Sequence, residues 1–484
     1  MRLSSFWLAI SLTTACANPD APAPDATQPE QPGIPGSLDG VHSAGEPCTA
    51  VENTAIDRSL VVTDPAILGR FPFAVVMGRV RATGNLGVTN TTELALFQSW
   101  MWTFGASNSA GDCDDPNIDP NHYGLRCPRL PEAKLATVNP FDPASNVAFV
   151  PIGLFNRFDL APADGADCGE YRIVYAMRST NPNIAGRALI IFEATLPNPR
   201  RDLGLRGCLP VAQYWQNLSN DDDPTSRAVK LEAFYLMGTA IPGFPAVVDA
   251  RNYGLATGTG PYAAGQVRTN FFIDSVEWHL REFKLRRLCD PSNPANCKVR
   301  FDHVTVKSNP AEELFAGTHT RSESFRAAFA NSVGSLASPN VSTIGMSIED
   351  VFNEFESVSQ TQNVAFNSIA NQAMRDAVAV KLPPLNSGLT ANDILTRATT
   401  QTCAGCHQVS NNANLGGGLV WPPSLGFVQI DEAGTLSQAL TTQFLPHRKI
   451  VLEEFINAAC VNGTTNAAAD ARRTLGGSMV GAAN

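Results

Sequence analysis

The sequence predicts an α+β fold: a β-rich N-terminal region, a helical region, and a small all-helical module at the C-terminal end. Three observations predict it. First, apolar and β-branched runs with strand patterning recur between about residues 146 and 308, as in EYRIVYAMRS, RALIIFEATLP and GQVRTNFFI. Second, from about Pro310 the apolar spacing changes to the helical period, as in SESFRAAFANSVGSL and TANDILTRATTQ. Third, 484 residues with 44% hydrophobic content are enough for more than one packed core. The expected layout is a signal peptide over 1–15, a tether over 16–46, a β-rich α+β domain over 47–309, a helical region over 310–387 and the C-terminal module over 388–484.

The N-terminus reads MRLSSFWLAISLTTAC. Arg2 supplies a short positive start, Phe6 to Leu12 a short apolar stretch, and Thr13, Thr14 and Ala15 lead to Cys16. This is a secretory pattern, too short for a mature membrane-spanning helix. Its end resembles a bacterial lipoprotein signal, in which Cys16 is the lipidated first residue. Thr13 departs from the Leu usual three residues before that cysteine, so ordinary secretion stays open. The residue after Cys16 is Ala17, not Asp, which by the same resemblance implies an outer-membrane lipoprotein of the cell envelope, facing the periplasm or surface. The Pro-, Ala- and Asp-rich stretch that follows has no apolar period and reads as an extended spacer from a membrane.

The folded part is expected to start near Cys48. FPFAVVMGRV fits a strand or a helix; TTELALFQSWMWTF fits a helix capped by Thr91 or Thr92. Residues 111–131, rich in Asp, Asn, Pro and Gly, read as a loop. NVAFVPIGLFNRFDL, EYRIVYAMRS and RALIIFEATLP read as strands, the last two joined by the turn TNPNIAG. DDDPTSRAVKLEAFYLMGTAI reads as a helix with Asp223 as cap and Pro224 at the first helical position. GQVRTNFFI, EWHLREFKLRRL and RFDHVTVKS read as a second strand group. IEDVFNEFESVSQTQNVAFNSIANQAMRDAVAV and SQALTTQFLPHRKIVLEEFINAA read as helices.

The net charge of −10, with no basic cluster, excludes nucleic acid as a partner. The 11 cysteines divide informatively. With Cys16, Cys403 and Cys406 set aside, the eight left imply disulfides in an exported protein. Proximity gives Cys113–Cys127, Cys168–Cys208 and Cys289–Cys297, and leaves a long-range Cys48–Cys460.

The chemistry concentrates in QTCAGCH, residues 401–407. In C-x-x-C-H the two thiols form thioethers with a haem, and the adjacent histidine supplies an axial nitrogen to iron. The alternatives are a redox dithiol, which needs a βαβ setting that is not evident, and a zinc corner, which needs further ligands nearby. On the preceding helix pattern, the CAGCH motif and the apolar residues and final helix that follow, residues about 388–460 resemble the cytochrome c family. The resemblance implies one covalent haem c, attached through Cys403 and Cys406, with His407 as axial iron ligand and Trp421 packing on the haem. Such cytochromes usually carry a distal methionine, but none lies between His407 and Met479. His447 is therefore the candidate second ligand and Met479 the weaker alternative; an open position is the third.

Other constellations carry less. Asp112, Asp114, Asp115, Asn117 and Asp119 have the oxygen content of a Ca2+ loop but lack the glycine and closing glutamate of the EF-hand. His279 and His303 lie in predicted strands and could face one another. Arg157, Asp159, Asp164, Asp167, Glu170 and Arg172 read as a buried ion-pair network, or else as a ligand-binding edge. No G-x-S-x-G, P-loop or H-E-x-x-H occurs, so hydrolase, nucleotide and zinc-protease readings lack support. The expected function is a lipid-anchored, monohaem electron-transfer protein with a redox partner. The alternatives are an envelope-binding lipoprotein whose haem is a sensor or structural element, and a haem oxidase or peroxidase with an open iron site.

Overall fold

The computed structural model describes residues 51, 53–88, 91–105, 125, 128–273, 275, 277–359 and 365–462. The expected signal and tether, Cys16, Cys48, the Asp112–Asp119 loop, Cys113–Cys127 and Met479 lie outside them. Residues Pro47–Asn484 form one compact unit. Both helices and a mixed sheet are present, so the fold is α+β. Among the described residues no helix is long and apolar enough to cross a membrane.

The sheet contains β1 (Val61–Val62), β2 (Val147–Arg157), β3 (Asp167–Ser179), β4 (Gly186–Pro197), β5 (Ala256–Thr257), β6 (Gln266–Ile273), β7 (Trp278–Asp290), β8 (Asn293–Val304) and β9 (Ser357–Ser359). Its order is β1-β2-β3-β4-β6-β7-β5, with β8 and β9 also on β7. The long neighbours are antiparallel. β2, β3, β4, β6 and β7 are the strands expected from patterning, and Thr180–Ala185 makes the turn between β3 and β4. Most of their residues are buried on both faces.

A bulge at Ile152 decides which face each β2 side chain takes. The register shifts between Pro151 and Gly153, and one extra residue reverses the alternation. Phe149 therefore faces the helices that precede β2, and Phe155 faces the opposite side. On the first side Phe73, from the helix Phe73–Gly84, sits 5.1 Å from Tyr175 and 5.2 Å from Phe149 between ring centroids. Trp100, from the helix Glu93–Trp102, stacks on Phe301 at 4.1 Å. Thr92 caps that helix, as expected, and FPFAVVMGRV resolves as helix.

The opposite face is covered by the C-terminal segment. Phe455 lies 4.7 Å from Phe158, and Glu432 forms a two-bond ion pair with Arg187 of β4 at 2.5 and 2.7 Å. The final helix, Leu445–Asn462, also ties to the start of the compact unit. Asn457 exchanges bonds with the Val51 backbone at 2.8 and 2.9 Å.

Two helical expectations are corrected. IEDVFNEFESVSQTQNVAFNSIANQAMRDAVAV is not one helix. Asp350–Phe352 is a 3-10 turn, Ser357–Ser359 is β9, and Phe366–Ile369 and Gln372–Ala379 are separate helices. The edge of β7 supplies ladder bonds to Ser357–Ser359, and His279 and Arg281 take the Glu356 carboxylate at 2.5 and 2.7 Å. Tertiary bonding overrides the local helical pattern. His447 was expected just before the last helix and lies inside it. A π turn over Leu440–Phe444 precedes Pro446, and the wider turn accommodates the proline's missing N–H.

Candidate functional site

The CAGCH motif follows the helix Ala391–Thr399, which Thr390 and Asp393 close at its start with reciprocal bonds of 3.2 and 2.8 Å. Arg397, 1% exposed, staples that helix to its surroundings. It donates to the carbonyls of Leu415, Leu336, Ser338 and Gly416 at 2.7, 2.9, 2.7 and 3.2 Å. The chain then turns tightly into a π turn over Gly405–Val409. A Cβ on residue 405 would lie 1.7 Å from the Thr399 carbonyl oxygen. Only glycine allows that approach, so packing sets the residue before Cys406.

His407 is 6% exposed. Its Nδ1 lies 2.5 Å from the Phe427 carbonyl oxygen. A carbonyl only accepts, so Nδ1 carries the hydrogen and Nε2 the lone pair. Burial lowers the His407 pKa to about 4 against the opposing pull of the Phe427 bond, so the ring is neutral at pH 7. A neutral imidazole anchored through Nδ1 on a carbonyl is the form in which histidine ligates a metal through Nε2. Phe427 is itself held in the left-handed region, φ 67°. Its carbonyl also accepts from Asn270 Nδ2 of β6 at 3.0 Å, and its ring stacks 6.3 Å from Trp278 of β7.

Cys403 and Cys406 both stand as thiols. Gln429 Nε2 reaches the Cys406 carbonyl at 3.1 Å and its Sγ at 3.5 Å. Burial pushes the Cys403 thiol up to about 11, with Arg268 opposing. A redox dithiol needs the reverse, a thiol of lowered pKa.

His407 lines a cavity between the sheet and the C-terminal segment. The sheet supplies Phe155, Val174, Leu189 and Ile191 as its apolar wall; Val428, Ile430 and Leu440 line the other side. Its polar lining is Arg157, Arg172, Asn270, Gln429 and Arg448. The space among these residues, part of it open to solvent, is about 440 Å³.

A row of buried charges crosses this face of the sheet. Arg157 pairs with Asp159 at 3.0 Å, Arg172 with Glu170 at 2.7 Å and with Glu193 at 3.3 Å, and Arg268 with Glu193 at 3.3 Å and Glu282 at 3.0 Å. Register produces the row: Arg157 lies opposite Glu170, Arg172 opposite Glu193, and Arg268 opposite Glu282. Against burial, the Arg157 and Arg448 guanidiniums hold Asp159 well below the usual carboxylate range; Arg172 and Lys307 likewise bring Glu170 to about 2. Arg448 is different. It is 2% exposed, its only ion-pair contact among the described residues is Asp159 at 3.7 Å, and its Nε and Nη2 lack hydrogen-bond partners. Burial, with Arg157 nearby, drives its pKa well down.

The other expected residues are placed as follows. His447 is buried but does not line the cavity; Arg448, the next residue on the helix, does. Trp421 is fully buried, 5.7 Å from Phe444, and also lies off the cavity lining. His279 and His303 do not form a pair. His279 Nδ1 meets Glu356, and His303 Nε2 accompanies the Phe355 carbonyl at 2.7 Å. Asp223 caps its helix at 2.9 Å, as the helix-start reading of the acidic run expects. Cys168–Cys208 and Cys289–Cys297 are disulfide-bonded, as expected. Cys460 is disulfide-bonded, and Cys48, its expected partner, lies outside the described residues. Among the described residues no cluster of three or more His, Cys, Asp or Glu is arranged to hold a metal ion.

Sequence patterning did not single out Asn270, Gln429 or Arg448. It did mark Arg157 and Arg172, through the density of charges in FNRFDLAPADGADCGEYR. Comparison of the chain with family models, with curated proteins and with solved structures finds no match.

Proposed function

We propose that this chain is an exported c-type haem protein that transfers electrons, with a C-terminal module of cytochrome c character. The observation that carries the reading is His407. It follows C-x-x-C directly, is neutral and anchored through Nδ1, and lines a cavity with an apolar wall and a polar rim of arginines and amides. Of the residues present, Cys403 and Cys406 would supply the thioether sulfurs of one haem c, and His407 a nitrogen to its iron. Bound there, a haem supplies one-electron chemistry. Val174, Leu189 and Ile191 would give the bound group an apolar wall. The Phe427 carbonyl and Asn270 orient the imidazole. A lipid at Cys16 and the spacer after it would hold this unit at the outer membrane, within reach of a redox partner.

One observation favours a second reading. Among the described residues, His407 is the only histidine lining the cavity, and no methionine or cysteine lines it with His407. Successive helix residues point about 100° apart, so Arg448 facing the cavity turns His447 away. A single protein nitrogen on iron leaves a position for a small molecule, as the oxidase or peroxidase reading requires. Expression of the full chain in a host that matures cytochromes c, followed by a pyridine haemochrome assay, tests the first reading. One covalent haem per chain, lost in Cys403→Ala/Cys406→Ala, supports it; absence of haem removes it. Carbon monoxide binding by the reduced protein selects the second reading over a site filled by His447.

A further inference from the structure

We infer that Arg448, backed by Arg157 and Arg172, is a carboxylate receptor built into the cavity wall, and that the β-sheet is thereby half of the ligand site. The inference rests on the haem reading for its preferred ligand, since the edge carboxylates of a haem are the nearest source. A free small carboxylate is the other source of the same chemistry.

Of the three cavity-lining guanidiniums, Arg157 and Arg172 have close carboxylate partners at 3.0 and 2.7 Å. Arg448 has Asp159 only at 3.7 Å, and that carboxylate is already bonded twice to Arg157 Nε, at 3.0 and 3.2 Å. Nε and Nη2 of Arg448 remain without hydrogen-bond partners. A buried, under-paired guanidinium is strongly unfavourable, while a carboxylate bound by the planar fork is strongly favourable. Arg448 comes from the last helix, Arg157 and Arg172 from β2 and β3, so a carboxylate there bridges the C-terminal segment to the sheet.

The two states make opposite predictions, which gives a test by sign. Arg448→Leu, with Arg448→Gln as a second variant, is compared with wild type in the full chain, with and without haem maturation. With the carboxylate in place, the substitution removes its partner and the melting temperature falls. Without it, the substitution removes an unsatisfied buried charge and the melting temperature rises. Shifts of at least about 2 °C in each direction are expected. In the haem-loaded chain the variants also lower the reduction potential, because a cation beside the ring favours the reduced state. Melting temperatures that rise equally with and without haem overturn the inference. The haemochrome assay separates failures: if no haem attaches, the haem reading falls. Acetate and succinate titrations of the haem-free chain then decide. Stabilisation of wild type but not of Arg448→Leu assigns the receptor to a free carboxylate, and no differential stabilisation removes the receptor.

Discussion

His407 Nδ1 and Asn270 Nδ2 share one acceptor, the Phe427 carbonyl oxygen, at 2.5 and 3.0 Å. His407 is thus oriented by a strand well over a hundred residues earlier in the chain. Asn270→Ala is expected to destabilise the protein by about 1–2 kcal/mol, read by denaturant unfolding. In a haem-loaded protein it also shifts the absorption spectrum, because the ring loses part of its anchor.

Gly405 carries a prediction about the turn that leads into the motif. Gly405→Ala places a methyl group 1.7 Å from the Thr399 carbonyl oxygen. The turn must open, at a cost of roughly 1–3 kcal/mol or more, and on the proposed haem reading covalent haem per chain drops. Normal stability and full haem loading in this variant would show that the turn is built differently.

Arg397 donates to four backbone carbonyls from two segments, Leu336 and Ser338 in one and Leu415 and Gly416 in the other. Arg397→Met keeps the stem and removes the donors. Unfolding free energy is expected to fall by roughly 2–4 kcal/mol. Arg397→Lys recovers little, since one ammonium cannot span four acceptors.

Glu354 gives a pH dependence. Burial, with Glu313 and Glu312 nearby, raises its pKa to about 8 from the ordinary 4.5, against the bond from Asn309. The folded state therefore holds a proton that the unfolded state releases between about pH 4.5 and 8. Its contribution to stability is full below 4.5 and is lost as pH rises towards 8. Glu354→Gln should flatten that part of the stability profile. An unchanged slope would assign the proton elsewhere.

The Cys168–Cys208 bridge closes a separation of 40 residues and fastens β3 to the segment after β4. Replacing both cysteines with serine is expected to lower stability by roughly 3–4 kcal/mol, measured by thermal unfolding under non-reducing conditions. The fold should persist, because Tyr171 and Trp215 still stack across the same junction at 5.8 Å.

Much of this was legible in the chain. The strands β2, β3, β4, β6 and β7 follow patterning and turn residues, and the two local disulfides follow proximity. Helix starts at Thr92 and Asp223 follow the chemistry of capping side chains. What was not legible depends on distant partners. Ser357–Ser359 reads as helix locally and becomes a strand because β7 has an open edge and Glu356 is drawn to His279 and Arg281.

The sequence by itself determined the local chemistry of the motif: two thiols and a histidine at the spacing of covalent haem attachment, with a glycine between them. Spacing of this kind is a property of a few adjacent residues, so it survives without a fold. Only the tertiary structure decided what the motif faces. Strand register aligned Arg157, Arg172 and Arg268 into one buried row, the bulge at Ile152 turned Phe155 to the same side, and the helical rotation by one residue brought Arg448, not His447, to the cavity. Such choices hinge on single-residue offsets in elements that meet only after folding, and no local pattern encodes them.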